Sequence, residues 1–484
     1  MRPYGPRAAP TIGGVADPYP THGARRGAVE GGPGGGPRPG GGGGRGGRPG
    51  RGGAPPWGGG APPPPPPGAG GGAGDGGPAA ARRLLALISL CLCGCLCAAA
   101  CAPAARPAAP GTAARQLRQV LDRRAAAVLH RDRAAYLASF DPRATALRAT
   151  GSTEFADLAA VPLRSWQYEV TDVATTGDTA TVRARLRYRL AGYDTAPVST
   201  PRFLQFVRRS GRWYVTLDRP GDGGAQQLWQ QGPVEAVKGA RSLVLGVGQD
   251  PARLRAVAAV ADRAVPEVSR AWPGSWARRV VVYVPASLDA MAALLGRSAA
   301  TYRDIAAVTT GETGGAGAAP PDRIIVNPDA YGTLSDFGQR VVLTHEITHV
   351  ATRGATSAAT PTWLSEGFAD WSAYRGSGRS AATLAPELRA ELHADGPPHA
   401  LPADRNFAFS AEQSALARAY EEGWLACELV ADTWGARRLA AFYREVGAHD
   451  GRSGAVADAL HDVLSTTPGA FTRLWQTYLK RRLG

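Results

Sequence analysis

Apolar positions recur with two different periods along this chain, and the changes of period mark its organisation. Over 113–140, "AARQLRQVLDRRAAAVLHRDRAAYLASF" places Leu117, Val120, Leu121, Ala125 and Val128 three or four apart, the spacing of one buried helix face. The stretches "WQYEVTDVATTGDTATVRARLRYRLAGY" and "RFLQFVRRSGRWYVTLD" then alternate as strands do, and "TTGD" and "RSGR" punctuate them as two hairpins. From about residue 240 the pattern is mixed. "ARLRAVAAVADRAVPEVSRAW" predicts a helix, "RRVVVYVPAS" a strand and "LDAMAALLG" a short helix. "DIAAVTTGE" and "DRIIVNPDA" read as strands on either side of the Gly/Ala-rich "TGGAGAAPP". Beyond them the chain reads as helical to its end, broken by the loop "HADGPPHALPADRN". The expected class is α+β: a helix-plus-antiparallel-sheet module over 113–221, then a domain over 240–484 with a sheet and a mostly helical C-terminal part.

The chain before 113 follows neither period. Residues 1–81 contain "GGPGGGPRPGGGGGRGGRPGRGG" and "APPPPPPGAG". Glycine raises the entropy cost of order and the proline run favours an open helix, so a disordered tail is expected there. Within 82–103, Arg82 and Arg83 precede an uncharged run from Leu84 to Ala102, nineteen residues, enough for one helix to span a bilayer. The positive flank would stay cytoplasmic, sending the rest of the chain outward. The same segment resembles a secretory signal with a bacterial lipoprotein box, with "LCGC" ending at Cys95 and "AAAC" at Cys101. Either reading expects membrane attachment through 84–102 and a C-terminal portion outside the cytoplasm. Residues 104–112 are a short Ala/Pro linker.

Charge and cysteine add two constraints. The formal charge is +15, carried by arginine apart from Lys238 and Lys480. From Met1 to Arg83, ten arginines oppose Asp17, Glu30 and Asp75, so +7 of that charge precedes the folded modules. Basic chains can bind nucleic acid, but no finger, RNP-like run or basic helix with interleaved aromatics appears, and no nucleic-acid partner is expected. A membrane-tethered, arginine-driven nucleic-acid binder would lose its salt-dependent binding on deletion of residues 1–80. Five of six cysteines lie within Cys91–Cys101. Cys427 alone remains downstream, so the later domains hold no intrachain disulfide, and its apolar helical setting predicts a packed thiol.

The chemistry concentrates in "VVLTHEITHVATRGATSAATPTWLSEGFAD", residues 341–370. His345 and His349 are four apart on a predicted helix, so their rings share one face and can hold one zinc ion. Glu346 projects beside that site, where a carboxylate can accept a proton from metal-activated water. Two imidazoles leave zinc short of protein ligands. Glu366 follows seventeen residues after His349, past the turn-forming "RGATSAATPT", on a second predicted helix that Pro361 helps to start. Asp370 lies one turn beyond Glu366 on the same face, placed to fix the tautomer of a ligand imidazole. Trp363 reads as core, with Leu364, Phe368 and Trp371 burying one side.

"HEITH" followed by "EGFAD" resembles the gluzincin class of zinc metallopeptidases. The resemblance implies that His345, His349 and Glu366 bind Zn²⁺, that Glu346 is the general base and later the proton donor, and that Asp370 is the outer partner. It covers about thirty residues; the wider fit over 240–484 is to small peptidase-like domains of bacterial envelope proteins. The spacer is slightly short for the class, and the "GAMEN" motif of its aminopeptidase branch is absent. The class supplies a Tyr or His opposite the metal. Tyr420, in "ARAYEEGWLACELVADTWG", is the candidate here, with Tyr374 and His461 behind it. Glu421 and Glu422 are expected either to be solvated or to read a substrate amine; His393 and His399 lie in the loop and could edge a cleft. The helix and sheet of 113–221 resemble the cystatin or NTF2-like families by pattern, without a motif and without a catalytic set, and His130 there is expected to be exposed.

The reading that follows is hydrolysis of a peptide or protein substrate by a zinc peptidase at the cell membrane, its catalytic domain extracellular. The alternative is a catalytically idle zinc-binding protein of the cell envelope.

Overall fold

The computed structural model describes residues 111–310, 321–408 and 413–484. The disordered-tail and membrane-anchor readings, on 1–81 and 82–103, lie outside the described residues. Among the described residues no helix is long and apolar enough to cross a membrane.

The first layer is a helix on a meander. Helix α1 (Thr112–Leu129) is followed by α2 (Arg133–Leu137), α3 (Thr145–Asp157) and strands β1 (Leu163–Thr176), β2 (Thr179–Leu190), β3 (Val198–Arg209) and β4 (Arg212–Pro220), antiparallel in the order β1-β2-β3-β4. The predicted apolar face of α1 is the one it buries. Strand β2 alternates strictly: Ala180, Val182, Ala184, Leu186, Tyr188 and Leu190 point inward, and the arginines between them outward. The β3–β4 turn is Ser210-Gly211, with φ of 47° and 79°, the left-handed pair a two-residue hairpin requires. Arg124 of α1 is 1% exposed. It is tolerated because it donates to Tyr136 Oη at 2.7 Å, Ser139 Oγ at 2.9 Å and Asp218 at 3.1 Å, and Arg202 donates to the other Asp218 oxygen.

The second layer is a mixed sheet, β5-β6-β7-β9-β8. Its strands are β5 (Val234–Lys238), β6 (Ser242–Val247), β7 (Val280–Val284), β8 (Ala307–Thr309) and β9 (Ile324–Val326). The central strands β6, β7 and β9 run parallel, and the two edges run antiparallel to them. Helices α4 (Pro251–Ala271) and α5 (Leu288–Leu295) interrupt the strands. Alternate side chains of each strand enter different cores. Val244, Val280, Val282, Ile324 and Val326 pack with the helical part; Leu243, Leu245, Val281, Tyr283 and Ile325 pack with the first layer. Burial on both faces makes "SLVLGV" and "VVVYV" continuous apolar runs. Arg323, at the start of β9, is clamped to Asp194 of the first layer at 2.7 and 2.9 Å and donates to Tyr283 Oη at 3.1 Å.

The helical part follows: α6 (Pro328–Thr333), α7 (Asp336–Thr352), α8 (Thr362–Tyr374), α9 (Ala381–Leu384), α10 (Pro386–Asp395), α11 (Gln413–Trp434), α12 (Ala436–Ala448), α13 (Ala455–Leu464) and α14 (Pro468–Leu483). Helices α8 and α11 approach backbone to backbone at Gly367 and Gly423. A Cβ on Gly367 would overlap the Gly423 carbonyl, and one on Gly423 would sit 2.7 Å from the Trp363 carbonyl oxygen. Rigid backbone cannot yield as a side-chain end can, so Gly367→Ala is expected to cost about 3 kcal/mol, the upper end for overpacking. A urea midpoint unchanged from the parent protein would contradict this.

Candidate metal centre

Helix α7 begins at Ser335, whose hydroxyl accepts from Gly338 N, and runs unbroken through the motif. It has no solvent face: from Val341 to His349 every residue is buried, between β8, α4 and α8. The polar letters of the motif therefore cannot be a solvated stripe.

Those polar groups converge. His345 Nε2 and His349 Nε2 are 3.0 Å apart. Glu366 Oε2, from α8, lies 3.2 Å from the first and 3.5 Å from the second. Three donors of one tetrahedral zinc site, each about 2.0–2.1 Å from the ion, stand about 3.3 Å from one another. Asp370 Oδ1 is 2.7 Å from His345 Nδ1, one turn along α8, as the spacing predicts. With the proton on Nδ1, the Nε2 lone pair points into the same space as that of His349 and the Glu366 oxygen. Glu366 Oε2 is buried with no hydrogen-bond partner. Lone pairs gathered in this way repel unless a cation sits among them, and the donor set fits zinc.

The electrostatics agree. Burial opposes a charged His345, yet the Asp370 and Glu366 carboxylates hold its imidazolium well above the usual histidine range. Burial likewise opposes ionisation of Glu366, but the facing His349 and His345 bring it down to about 2. The pocket carries surplus negative charge that a proton relieves when a metal does not.

Glu346 is 1% exposed, next to the cluster. Thr309 Oγ1, at the end of edge strand β8, lies 2.6 Å from its Oε2 and 3.1 Å from its carbonyl oxygen. Thr309 has no motif, and nothing along the chain could have paired it with a residue thirty-seven positions later. Asp322, just before β9, accepts from Arg353 Nε at 3.1 and 3.2 Å where α7 ends. It was equally invisible in sequence, as was its neighbour Arg323's clamp to the first layer.

Tyr420 of α11 also reaches the cluster. Its hydroxyl is hydrogen-bonded to Glu366, and burial with the Glu366, Asp370 and Glu346 carboxylates keeps it protonated far above the usual range. The other candidates do not arrive. Tyr374 packs on Trp424, ring centroids 4.7 Å apart, and His461 is 80% exposed beside Asp462. His393 and His399 are exposed, and His393 lies in the last turn of α10 rather than in the loop that holds His399. Neither expectation for Glu421 holds: it is buried, accepts from Leu388 N at 2.6 Å and is pushed up to about 10 by burial and Glu387, so its carboxyl is spent on α10. Burial and Glu391 push Glu422 up to about 7. Cys427 is a buried thiol, as expected.

No family model and no curated protein matches the sequence. Among solved structures, an M1 zinc metallopeptidase from Deinococcus radiodurans is 16% identical, over 65% of this chain and 64% of its own, with a TM-score of 0.30. Native yeast LTA4 hydrolase is 11% identical, over 65% and 59%, also at 0.30. A function-unknown protein from Mycobacterium tuberculosis is 17% identical, over 22% of this chain and 69% of its own, at 0.18. The chain thus spans a little under two thirds of the length of the first two. Likenesses of this extent carry no function across, and the chemistry of the cluster has to stand on its own geometry.

Proposed function

We propose that this protein hydrolyses peptide bonds with a zinc ion held by His345, His349 and Glu366. The observation that carries the reading is the convergence of three buried ligand atoms within 3.0–3.5 Å, one of them an orphaned carboxylate oxygen, beside a further buried carboxylate, Glu346, that is not part of the set. A zinc ion there would supply Lewis acidity toward a carbonyl oxygen and acidity to a water. Glu346 is the base that takes the proton of the attacking water and returns it to the leaving amine. Thr309 holds Glu346 in place through the 2.6 Å contact. Asp370 keeps the His345 proton on Nδ1. Tyr420, protonated at any working pH, is the donor for the oxyanion that develops on the substrate. The Arg82–Arg83 flank and the apolar run Leu84–Ala102 support a place for this chemistry outside the cytoplasm, on the membrane. The test is zinc analysis together with unbiased peptide-cleavage profiling. Stoichiometric zinc with no cleavage across a broad library would favour an idle zinc-binding envelope protein instead.

Two substitutions separate the supporting roles. Asp370→Asn keeps the shape but loses the charge that orients His345. Zinc affinity is expected to fall about 10–100-fold, read by competition with a chromogenic chelator; an unchanged affinity would remove Asp370 from the scheme. Tyr420→Phe separates donor from ligand support. As the oxyanion donor its loss lowers kcat by roughly 10²–10³-fold with zinc affinity unaltered. A loss of zinc affinity at unchanged kcat in the loaded enzyme would make it a support for Glu366.

A further inference from the structure

The last turn of α8 lines a second concavity, of about 350 Å³, that none of His345, Glu346, His349, Glu366, Asp370 or Tyr420 touches. Its apolar wall is aromatic: Trp371 and Tyr374 from α8, and Trp424 from α11, packed at a tilt of 57° against Tyr374. Two kinds of charge share the rest of the wall. Glu428 and Asp432 stand one turn apart on α11, and Arg375 and Arg379 flank the turn Gly376-Ser377-Gly378 that follows α8.

These charges are not spent on one another. Arg375 lies over the Trp371 ring at 5.5 Å and Arg379 over Phe337 at 3.7 Å, and no ion pair among the described residues joins either arginine to a carboxylate. Glu428 accepts from Arg482 through Oε1 at 2.9 Å, but its Oε2 is buried with no hydrogen-bond partner. Asp432 accepts from Tyr478 through Oδ2 at 2.6 Å. Opposite charges lining one space would ordinarily close on each other. Here they stay apart, with a carboxylate oxygen unsatisfied on one side and guanidinium edges unclaimed on the other. A ligand carrying both an ammonium and a carboxylate would complete both sets, although Glu428 is also paired with Arg482, whose Nε is likewise buried without a partner. The aromatic wall suits the ammonium face and any apolar side chain between. The volume is at the lower end for small-molecule sites.

We propose that this concavity binds a small zwitterion, a free amino acid or dipeptide, with its ammonium on Glu428 and Asp432 beside Trp424 and its carboxylate on Arg375 and Arg379. The proposal does not depend on the peptidase reading.

The test is calorimetric titration of the full chain, freed of metal with chelator so that no dipeptide is consumed. The probes are L-leucine, Gly-Leu, N-acetyl-Gly-Leu and Gly-Leu amide. Saturable one-to-one binding of L-leucine or Gly-Leu is expected, and either cap should weaken Gly-Leu by about tenfold or more. Glu428→Gln, and separately Arg375→Gln with Arg379→Gln, should each weaken the uncapped probes by about as much, in protein whose circular dichroism matches the parent. His345→Ala should leave the titration unchanged. Three results would overturn the proposal: no saturable heat up to about 10 mM of either uncapped probe, equal binding of capped and free dipeptide, or binding lost in His345→Ala and kept in the concavity variants. The last would place the ligand at the metal cluster.

Discussion

Glu346→Gln is expected to lower kcat/KM for peptide cleavage by at least about 10³-fold while the protein still holds one zinc ion per chain. The amide fills the same space beside Thr309 and leaves His345, His349 and Glu366 untouched, so the loss isolates proton transfer from metal binding. General acid–base groups contribute typically 10²–10⁴-fold, and Glu346 is asked to act twice, on the attacking water and on the leaving amine. No other carboxylate can substitute. Glu366 is assigned to the proposed metal set, Asp370 is bonded to His345 at 2.7 Å, and Glu421 is bonded to α10. Steady-state kinetics beside metal stoichiometry on the same preparation decides it. Activity within a factor of about ten of the parent would end the general-base assignment.

The second large effect is on the metal. Glu366→Ala removes a ligand rather than a ligand's support, so zinc affinity is expected to fall by more than the roughly 10–100-fold that an outer partner contributes. It also removes a buried carboxylate with an unsatisfied oxygen and leaves two imidazoles, a set that loses both geometry and charge for a divalent ion. Competition titration against a chelator of known affinity measures the change. Retention of stoichiometric zinc at parental affinity would mean that the ion sits elsewhere, and the convergence of the three side chains would have no chemical meaning.

The legible and illegible parts of this fold divide by interaction range. Helix α1, the β1–β2 and β3–β4 hairpins and α4 are legible because each announces itself locally, through one buried face or a turn with glycine, and α7 through a run over 339–352 that no Gly or Pro interrupts. Strands β5 and β6 carry no local signal, and β8 and β9 are three residues each. Strand β6 is buried on both faces and so lacks the alternation that betrays a half-exposed strand. The short strands exist because the sheet around them supplies their partners. Helix α3 is equally silent: it buries Gly151 beside Phe140 and Phe155 against Tyr136 but shows almost no apolar face of its own.

The candidate metal ligands belong to both categories. The four-residue spacing of His345 and His349 is a property of the helix, and so is the four-residue step from Glu366 to Asp370. A single chain pattern therefore determined two rigid pairs. Whether the pairs meet depends on how α8 returns across α7, and that is decided by packing: the glycine contact of Gly367 with Gly423 sets the depth of α8 against α11, and Phe368 packs edge-on against both Trp272 and Tyr443, which also touch each other. The same packing brought Thr309 to Glu346 and Tyr420 to Glu366, and it withdrew Tyr374, His461 and Glu421. Helical periodicity is written in neighbouring residues, so the sequence by itself determined which side chains travel together. Distances between elements are the sum of many remote contacts, so the tertiary structure alone decided which of them converge.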